Sequence, residues 1–406
     1  MTDDALVFHD TTDRAGTHVL LIGIGEYPWL EEGDEYVAVD HEENAMGMGQ
    51  LAAPPVSIRR MADWFLDSFD NPERQLASLS LILSEAESVP YEHARAKDGS
   101  VAVPRGTIGD VQKAVTAWIK RASTKRANAL VFGFCGHGLQ SGNPVLLCRD
   151  YGENPASRFQ GAIDFEQFRI ALSTNQPDTQ LLLVDACRTP DLDNSLLGQA
   201  TPGNALLDVQ SLSKRDDVPA LQSTHFASSL YTPAWGRTDG PSLFTEVLLK
   251  ALEGGAAEHT ADWWVTTSRL HTVLSTYLQR VSTTEGVIQR PAASSVDFRI
   301  SKPGPIAVDV YVSSAEPTIW HEQIEIKASR DNFVQTYIHK PQAVADADAA
   351  AQQCALRLIN PTQRAIDVIY KVRVSFDHHS QFQDCDEQII AYPPEVACNI
   401  AVSKRR

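Results

Sequence analysis

From Thr17 to about Ser301, short apolar runs alternate with stretches whose apolar positions recur at helical spacing, the alternation an α/β sheet produces. HVLLIGI (His18 to Ile24), SLSLILS (Ser78 to Ser84), ALVFGF (Ala129 to Phe134), TQLLLVD (Thr179 to Asp185) and THFASS (Thr224 to Ser229) read as strands. Most are apolar on both faces, which suits parallel strands covered by helices on each side. Between them, SIRRMADWFLDSF puts Ile58, Met61, Phe65 and Phe69 on one helical face. TIGDVQKAVTAWIK opens with a capping box, Thr107 and Asp110, and DFEQFRIAL caps with Asp164. PSLFTEVLLKAL and TSRLHTVLSTYLQR give two later helices.

After GVIQRPAAS the period shortens to two. AVDVYVSS, QIEIKAS, FVQTYIH, CALRLIN, IDVIYKVRVSFD and CNIAVSK alternate apolar with polar positions and are separated by turn formers. They predict a small all-β, sandwich-like domain of about 100 residues. The expected division is a tail over 1–16, an α/β domain over 17–301 and a β-rich domain over 305–406, with the boundary near Lys302 to Gly304. A chain of 406 residues exceeds what one core usually serves.

Composition narrows the classes. A formal net charge of −17 argues against general binding to nucleic acid or anionic lipid, which needs a basic surface. The start, MTDDALVFHDTTDR, has no cationic and apolar leader, and no apolar run nears the roughly 20 residues of a membrane-spanning helix. A cytoplasmic protein is expected, with its six cysteines reduced.

Candidate chemistry gathers at two strand ends. VFGFCGHGLQSG delivers His137 between glycines just after one strand, and LLLVDACRTP delivers Cys187 just after another. Strand ends of a parallel sheet form the crevice where ligands sit, so an imidazole and a thiol can meet there for nucleophilic catalysis. Gly138 lets a backbone N–H approach a substrate, and with the N–H of Cys187 it can hold a developing oxyanion.

FCGHG and VDACR resemble the histidine and nucleophile motifs of caspase-like cysteine peptidases, and His137 precedes Cys187 by about 50 residues, as in caspases. HVLLIGIGEY, HFASS, SLFTEVLLKAL and IQRP are similar, in order, to further family segments, so the resemblance spans 17 to about 295. It implies a caspase-like, mostly parallel sheet with helices on both faces and a Cys187–His137 dyad without organic cofactor. In place of the animal-caspase glutamine stands Asp185, and Thr189 replaces a glycine. The metacaspase and bacterial members with an aspartate there favour arginine or lysine before the cleaved bond. Asp185 is therefore expected to bind a basic side chain, for which a guanidinium is a bidentate partner.

Further expectations follow from the same resemblance. The strand at His225, with Ser228 and Ser229 after it, is expected to hold substrate backbone as an added strand; Tyr27 and Trp29 are expected to border the groove. The linker between Cys187 and Thr224 is long and polar, and its basic residues after Arg188 are Lys214 and Arg215, the expected self-cleavage sites. The acidic stretch Glu31 to Asn44 makes calcium a candidate ligand, although its spacing fits no EF-hand. The β-rich domain is a candidate surface for a protein partner. Two rival readings are an inactive caspase-like scaffold and a metal-dependent hydrolase using Cys135, His137, Asp185 and Cys187, where zinc would find thiolate and imidazole ligands.

Overall fold

The computed structural model describes residues 4–190, 203–207, 220–229, 234, 236–237, 239–259, 262–287, 289–304, 306–330, 333–340, 354–359 and 368–405. The chain forms two compact units, one of residues 1–250 and 266–302, the other of 251–265 and 303–406. The second unit thus takes 251–265 as well, a segment expected in the α/β domain.

In the first unit seven strands form one sheet. In chain order the first six to be named are β1 (Leu6–His9), β2 (Gly16–Ile24), β3 (Gln75–Ser84), β4 (Ala129–Cys135), β5 (Gly138–Ser141) and β6 (Asn143–Leu147). They are followed by β7 (Ala162–Asp164), β8 (Thr179–Asp185), β9 (Leu221–Phe226) and β10 (Ala292–Ser294). The large sheet runs β1-β3-β2-β4-β8-β9-β10, parallel in its interior and antiparallel at both edges. Every residue of β2 and β8 is buried, as expected of strands apolar on both faces.

Helix α1 (Ala38–Ala45) follows β2, and α2 (Ala53–Asp67) packs on β2 and β3. Helix α3 (Ile108–Ala122) starts with the reciprocal Thr107–Asp110 capping box and buries Val111, Val115 and Trp118 against Leu20, Ile22 and Phe132. Helix α4 (Phe165–Ser173) is capped by Asp164, and α5 (Leu243–Lys250) packs on α6 (Thr267–Glu285). Asn128, 1% exposed, ties two elements together by accepting from Gly16 N–H (2.9 Å) and donating to the Ala122 carbonyl (2.8 Å).

Two expectations change. The expected tail over 1–16 contains β1, antiparallel to β3, with Val7 fully buried; four residues are too few for a period to register in the sequence. The edge of β9 is already occupied, since Thr224, His225 and Phe226 pair with Ser294, Ala293 and Ala292 of β10. No substrate strand can join β9 there, because those backbone groups are spent.

The second unit contains β11 (Ala307–Ser314), β12 (Ile324–Arg330), β13 (Phe333–His339), β14 (Cys354–Ile359), β15 (Val368–Phe376), β16 (Cys385–Ala391) and β17 (Glu395–Ile400). Strands β14-β11-β17 form one sheet and β13-β12-β15-β16 another. Val308, Val310 and Val312 of the first share a core with Ile324, Ile326, Val372 and Val374 of the second, the packing of a sandwich. Cys398 lies in that core and Cys385 packs against it. Among the described residues no helix is long and apolar enough to cross a membrane.

Buried histidines couple this fold to pH, His18 and His225 among them. Burial holds the His18 imidazole down to about 4, helped by Arg121, and that of His225 down to about 3, helped by His271, against an ordinary 6.5. Below pH 6.5 protons therefore favour the unfolded chain, and the stability present at neutrality is lost as pH falls toward 4. We expect urea unfolding to show about 2–3 kcal/mol lost per histidine between pH 7 and 4.5. A His18→Gln variant should have a shallower pH slope; an unchanged slope would contradict the assignment.

Candidate active site

The site is set by the register of β4 and β8. These strands are parallel neighbours with Asp185 opposite Cys135, and Gly136 N–H extends the ladder to the Asp185 carbonyl (3.1 Å). His137 and Cys187, each two residues further on, consequently leave the sheet at the same level. Both line a cavity of ≈ 420 Å³ whose wall also includes Asp185, Gln50, Arg237 and Ser242.

His137 is held on three sides. Its Nε2 lies 2.8 Å from the Gly49 carbonyl, which can only accept, so Nε2 carries the proton and Nδ1 keeps its lone pair. Its backbone N–H donates to the Tyr27 hydroxyl (2.8 Å), which in turn donates to the Leu147 carbonyl (3.3 Å). Leu147 N–H donates to the His137 carbonyl (3.0 Å), so the hydroxyl replaces one bond of a β5/β6 ladder pair. The Tyr27 ring lies 4.8 Å from the imidazole, centroid to centroid, and the side chain is fully buried. Tyr27 is thus beneath His137 and does not border a groove. Gly136 is required by this packing, since a Cβ there would stand 2.8 Å from the Tyr27 hydroxyl.

Gln50 fixes the loop that supplies Gly49. Its amide accepts from Tyr27 N–H (2.8 Å) and donates to the carbonyls of Tyr27 (2.9 Å) and Glu31 (3.0 Å). The acidic stretch expected as a calcium ligand lies in the same loop. Residues 38–45 of it are α1, and among the described residues no three of its carboxylates converge.

Burial governs the ionisation of the pair. It lowers the His137 imidazole to about 4, partly countered by the Gly49 carbonyl. Burial likewise raises the Cys187 thiol, opposed by Ala234 N–H and assisted by the charge of Asp185. At neutral pH the two are an uncharged thiol and an uncharged imidazole. Ala234 flanks the sulfur, its N–H 3.2 Å and its carbonyl 3.5 Å from Sγ.

Gly138 opens β5. In the alternating antiparallel ladder it sits beside the hydrogen-bonded His137–Leu147 pair, so its N–H points away from β6. A Cβ at Gly138 would be 2.7 Å from the Cys187 carbonyl, so only glycine permits this approach.

Asp185 is 7% exposed and its carboxylate is held asymmetrically. Thr245 Oγ1 (3.0 Å), Cys135 Sγ (3.4 Å) and Ser242 Oγ all donate to Oδ2. Burial raises its pKa, partly offset by these donors. Arg188, a rival for the carboxylate, instead donates to Gln140 (3.0 Å) and stacks over Phe226. Of the four residues of the metal reading, His137 is bonded to Gly49, Cys187 to Ala234 and Asp185 to Ser242 and Thr245, while Cys135 donates to Asp185 itself.

The serines of the expected groove serve the chain itself. Ser228, fully buried, donates to the Ala186 carbonyl (3.0 Å), and Ser229 donates from Oγ to the Arg290 carbonyl (3.0 Å) and lies outside the cavity wall. The Ser228 hydroxyl braces the turn that carries Cys187, and the Ser229 hydroxyl braces the segment that leads into β10. Lys214 and Arg215 lie outside the described residues. Part of their linker is placed: Asn204 forms a bridge to Ile163, and Leu206 is buried in the core.

Removing the Tyr27 hydroxyl should orphan His137 N–H and the Leu147 carbonyl. Tyr27→Phe is expected to lose about 1–3 kcal/mol in urea unfolding. In the intact chain, alkylation of Cys187 by iodoacetamide should keep accelerating above pH 9, as a raised thiol pKa requires; a plateau near pH 7 would mean an ion pair instead.

Comparison with known proteins adds a lineage. Residues 82–300 match the family described as Peptidase_C14, Caspase domain, a stretch that contains His137, Asp185 and Cys187. An uncharacterized protein, y4kE of Sinorhizobium fredii (strain NBRC 101917 / NGR234), is 24% identical over 314 residues, covering 72% of this chain and 86% of that protein. Among solved structures, Caspase-1 from Spodoptera frugiperda aligns with a TM-score of 0.40 at 10% identity, covering 73% of this chain and 94% of the other. Protein GSU0716 from Geobacter sulfurreducens aligns with a TM-score of 0.39 at 14% identity, covering 71% and 97%.

Proposed function

Because this chain belongs to the caspase domain family, with a cysteine-peptidase type of fold, we propose that it is an endopeptidase that cuts protein substrates after arginine or lysine. The observation that carries the reading is the shared register of β4 and β8, which sets a thiol and a correctly protonated imidazole on one cavity wall.

In this mechanism Nδ1 of His137 takes the Cys187 proton as sulfur attacks the scissile carbonyl. The Gly49 carbonyl holds the resulting imidazolium through Nε2–H. The backbone N–H groups of Gly138 and Cys187 receive the oxyanion, an interaction worth about 2.7–4 kcal/mol per donor in comparable sites. Imidazolium then protonates the leaving amine, and water, deprotonated by His137, releases the acyl group. Because the resting pair is neutral, proton transfer accompanies attack.

Selectivity rests on Asp185. With three donors on Oδ2, the other oxygen is left for a ligand in the cavity, and a guanidinium or ammonium there would offset the cost of burying the charge. The cavity's own cation, Arg237, is paired with Glu246. An uncharged cavity wall would not call for a basic partner; a buried carboxylate does.

The test uses fluorogenic peptides ending in arginine, lysine or aspartate before the reporter. Cys187→Ala should abolish cleavage of all. Asp185→Asn can keep its carbonyl oxygen toward Ser242, Thr245 and Cys135 while presenting NH₂ to the cavity. It should lower kcat/KM on basic peptides by about 30-fold or more, the loss of a buried charge pair, with thermal stability at pH 7 unchanged or raised. Wild-type cleavage of aspartate peptides alone would overturn the assignment.

Self-cleavage at Lys214 or Arg215 belongs to the same reading, since a basic residue in a long linker meets the proposed selectivity. Purified wild type should accumulate two fragments that meet at one of these positions by mass spectrometry. A Lys214→Ala, Arg215→Ala chain should stay intact; thiol-dependent cutting of that variant in the linker would refute the site.

A further inference from the structure

In the first unit an imidazole of β9 meets one of α6. His225 of β9 is fully buried, and His271 of α6 is half-buried. Nδ1 of each is enclosed by protein and has no hydrogen-bond partner. Buried ring nitrogens without partners are rare and ask for an occupant.

The protonation of His225 can be read from its neighbours. Nε2 lies 2.9 Å from Ser223 Oγ, and that hydroxyl donates onward to Ser295 Oγ (3.0 Å). Its single proton is therefore spent on Ser295, so it accepts from His225 Nε2–H. The unpartnered Nδ1 of His225 is then a bare lone pair. A metal-bound histidine has this arrangement, with the distal N–H held by an outer partner that fixes tautomer and ring orientation.

The spacing fits a shared ion. Two imidazoles joined linearly through one metal, with metal–nitrogen bonds of about 2 Å, have ring centres a little over 6 Å apart. The centroids of His225 and His271 are 6.3 Å apart. We infer that His225 and His271 form a buried two-nitrogen site for a monovalent transition-metal ion, Cu⁺ being the cation whose charge and coordination suit it. Two neutral ligands in a dry interior do not compensate a dication, and zinc sites normally have four ligands.

The inference is independent of the peptidase reading, and its test does not use activity. The described chain has another donor group, the exposed turn Asp377, His378, His379, which stands beside the charge of Arg405. The experiment therefore uses the full chain carrying His378→Ala and His379→Ala, with accessible thiols alkylated, titrated with Cu⁺ against bicinchoninate. One equivalent should bind, and X-ray absorption should show two nitrogens and no sulfur around copper. His271→Ala should weaken binding by at least about 100-fold and Ser223→Ala by about 10–100-fold, the usual cost of an outer partner. Should His271→Ala fail to fold, His271→Gln and the absorption spectrum of the parent decide. Sulfur ligation, equal binding by parent and His271 variant, or ¹⁵N imidazole shifts of His225 that ignore Cu⁺ would overturn the site.

Discussion

The parallel pairing of Ala129–Cys135 with Thr179–Asp185 is the constraint on which the rest depends. Strand register is discrete, and a slip of one residue would carry the following residues to opposite faces. Both strands are buried on both faces, so the packing of Leu130, Phe132, Leu182 and Val184 on one face and of Val131, Leu181 and Leu183 on the other locks the register. Two chains leaving one level of one sheet then need only two residues each to bring imidazole and thiol to a common wall. The level of both side chains is thus fixed by the core, and the bonds of His137 to Gly49 and of Cys187 to Ala234 set only their orientation.

Around that frame the loop after β2 does the finer work. Gln50 clamps the backbone of Tyr27, Tyr27 completes the hydrogen bonding of His137, and Gly49 selects the tautomer. Dry surroundings make these bonds strong and also discourage charge, which is why thiol and imidazole rest neutral; Asp185 feels the same push, and its three donors offset it in part.

Much of this was legible in the chain, for physical reasons. Strands apolar on both faces and a capping box such as Thr107–Asp110 are local signals, and they place the parallel sheet and α3 within a few residues. His137 and Cys187 stand out because glycines and a proline punctuate the ends of such strands. The supports of the site are different in kind. Gly49 contributes a carbonyl, which every residue possesses, and Ser242 and Thr245 look like the ordinary start of a helix. Gln50 and Tyr27 are joined to His137 only by the fold. The pairing of β9 with Ala292–Ser294 was not legible, because that partner is three small residues without strand periodicity.

Asn204 illustrates how a fold can outlast its own continuity. Its N–H donates to the Ala162 carbonyl (2.8 Å), its carbonyl accepts from Asp164 N–H (3.0 Å), and its amide donates to the Gln160 carbonyl (2.8 Å). The chain between β8 and β9 is therefore moored to the core near its middle, which divides one long closure into two shorter ones. A break in the chain between Leu207 and Ala220 would release two new ends while β8 and β9 remain hydrogen-bonded side by side. The two pieces would then behave as subunits whose interface is a sheet, bound by the same core that once folded them as one chain.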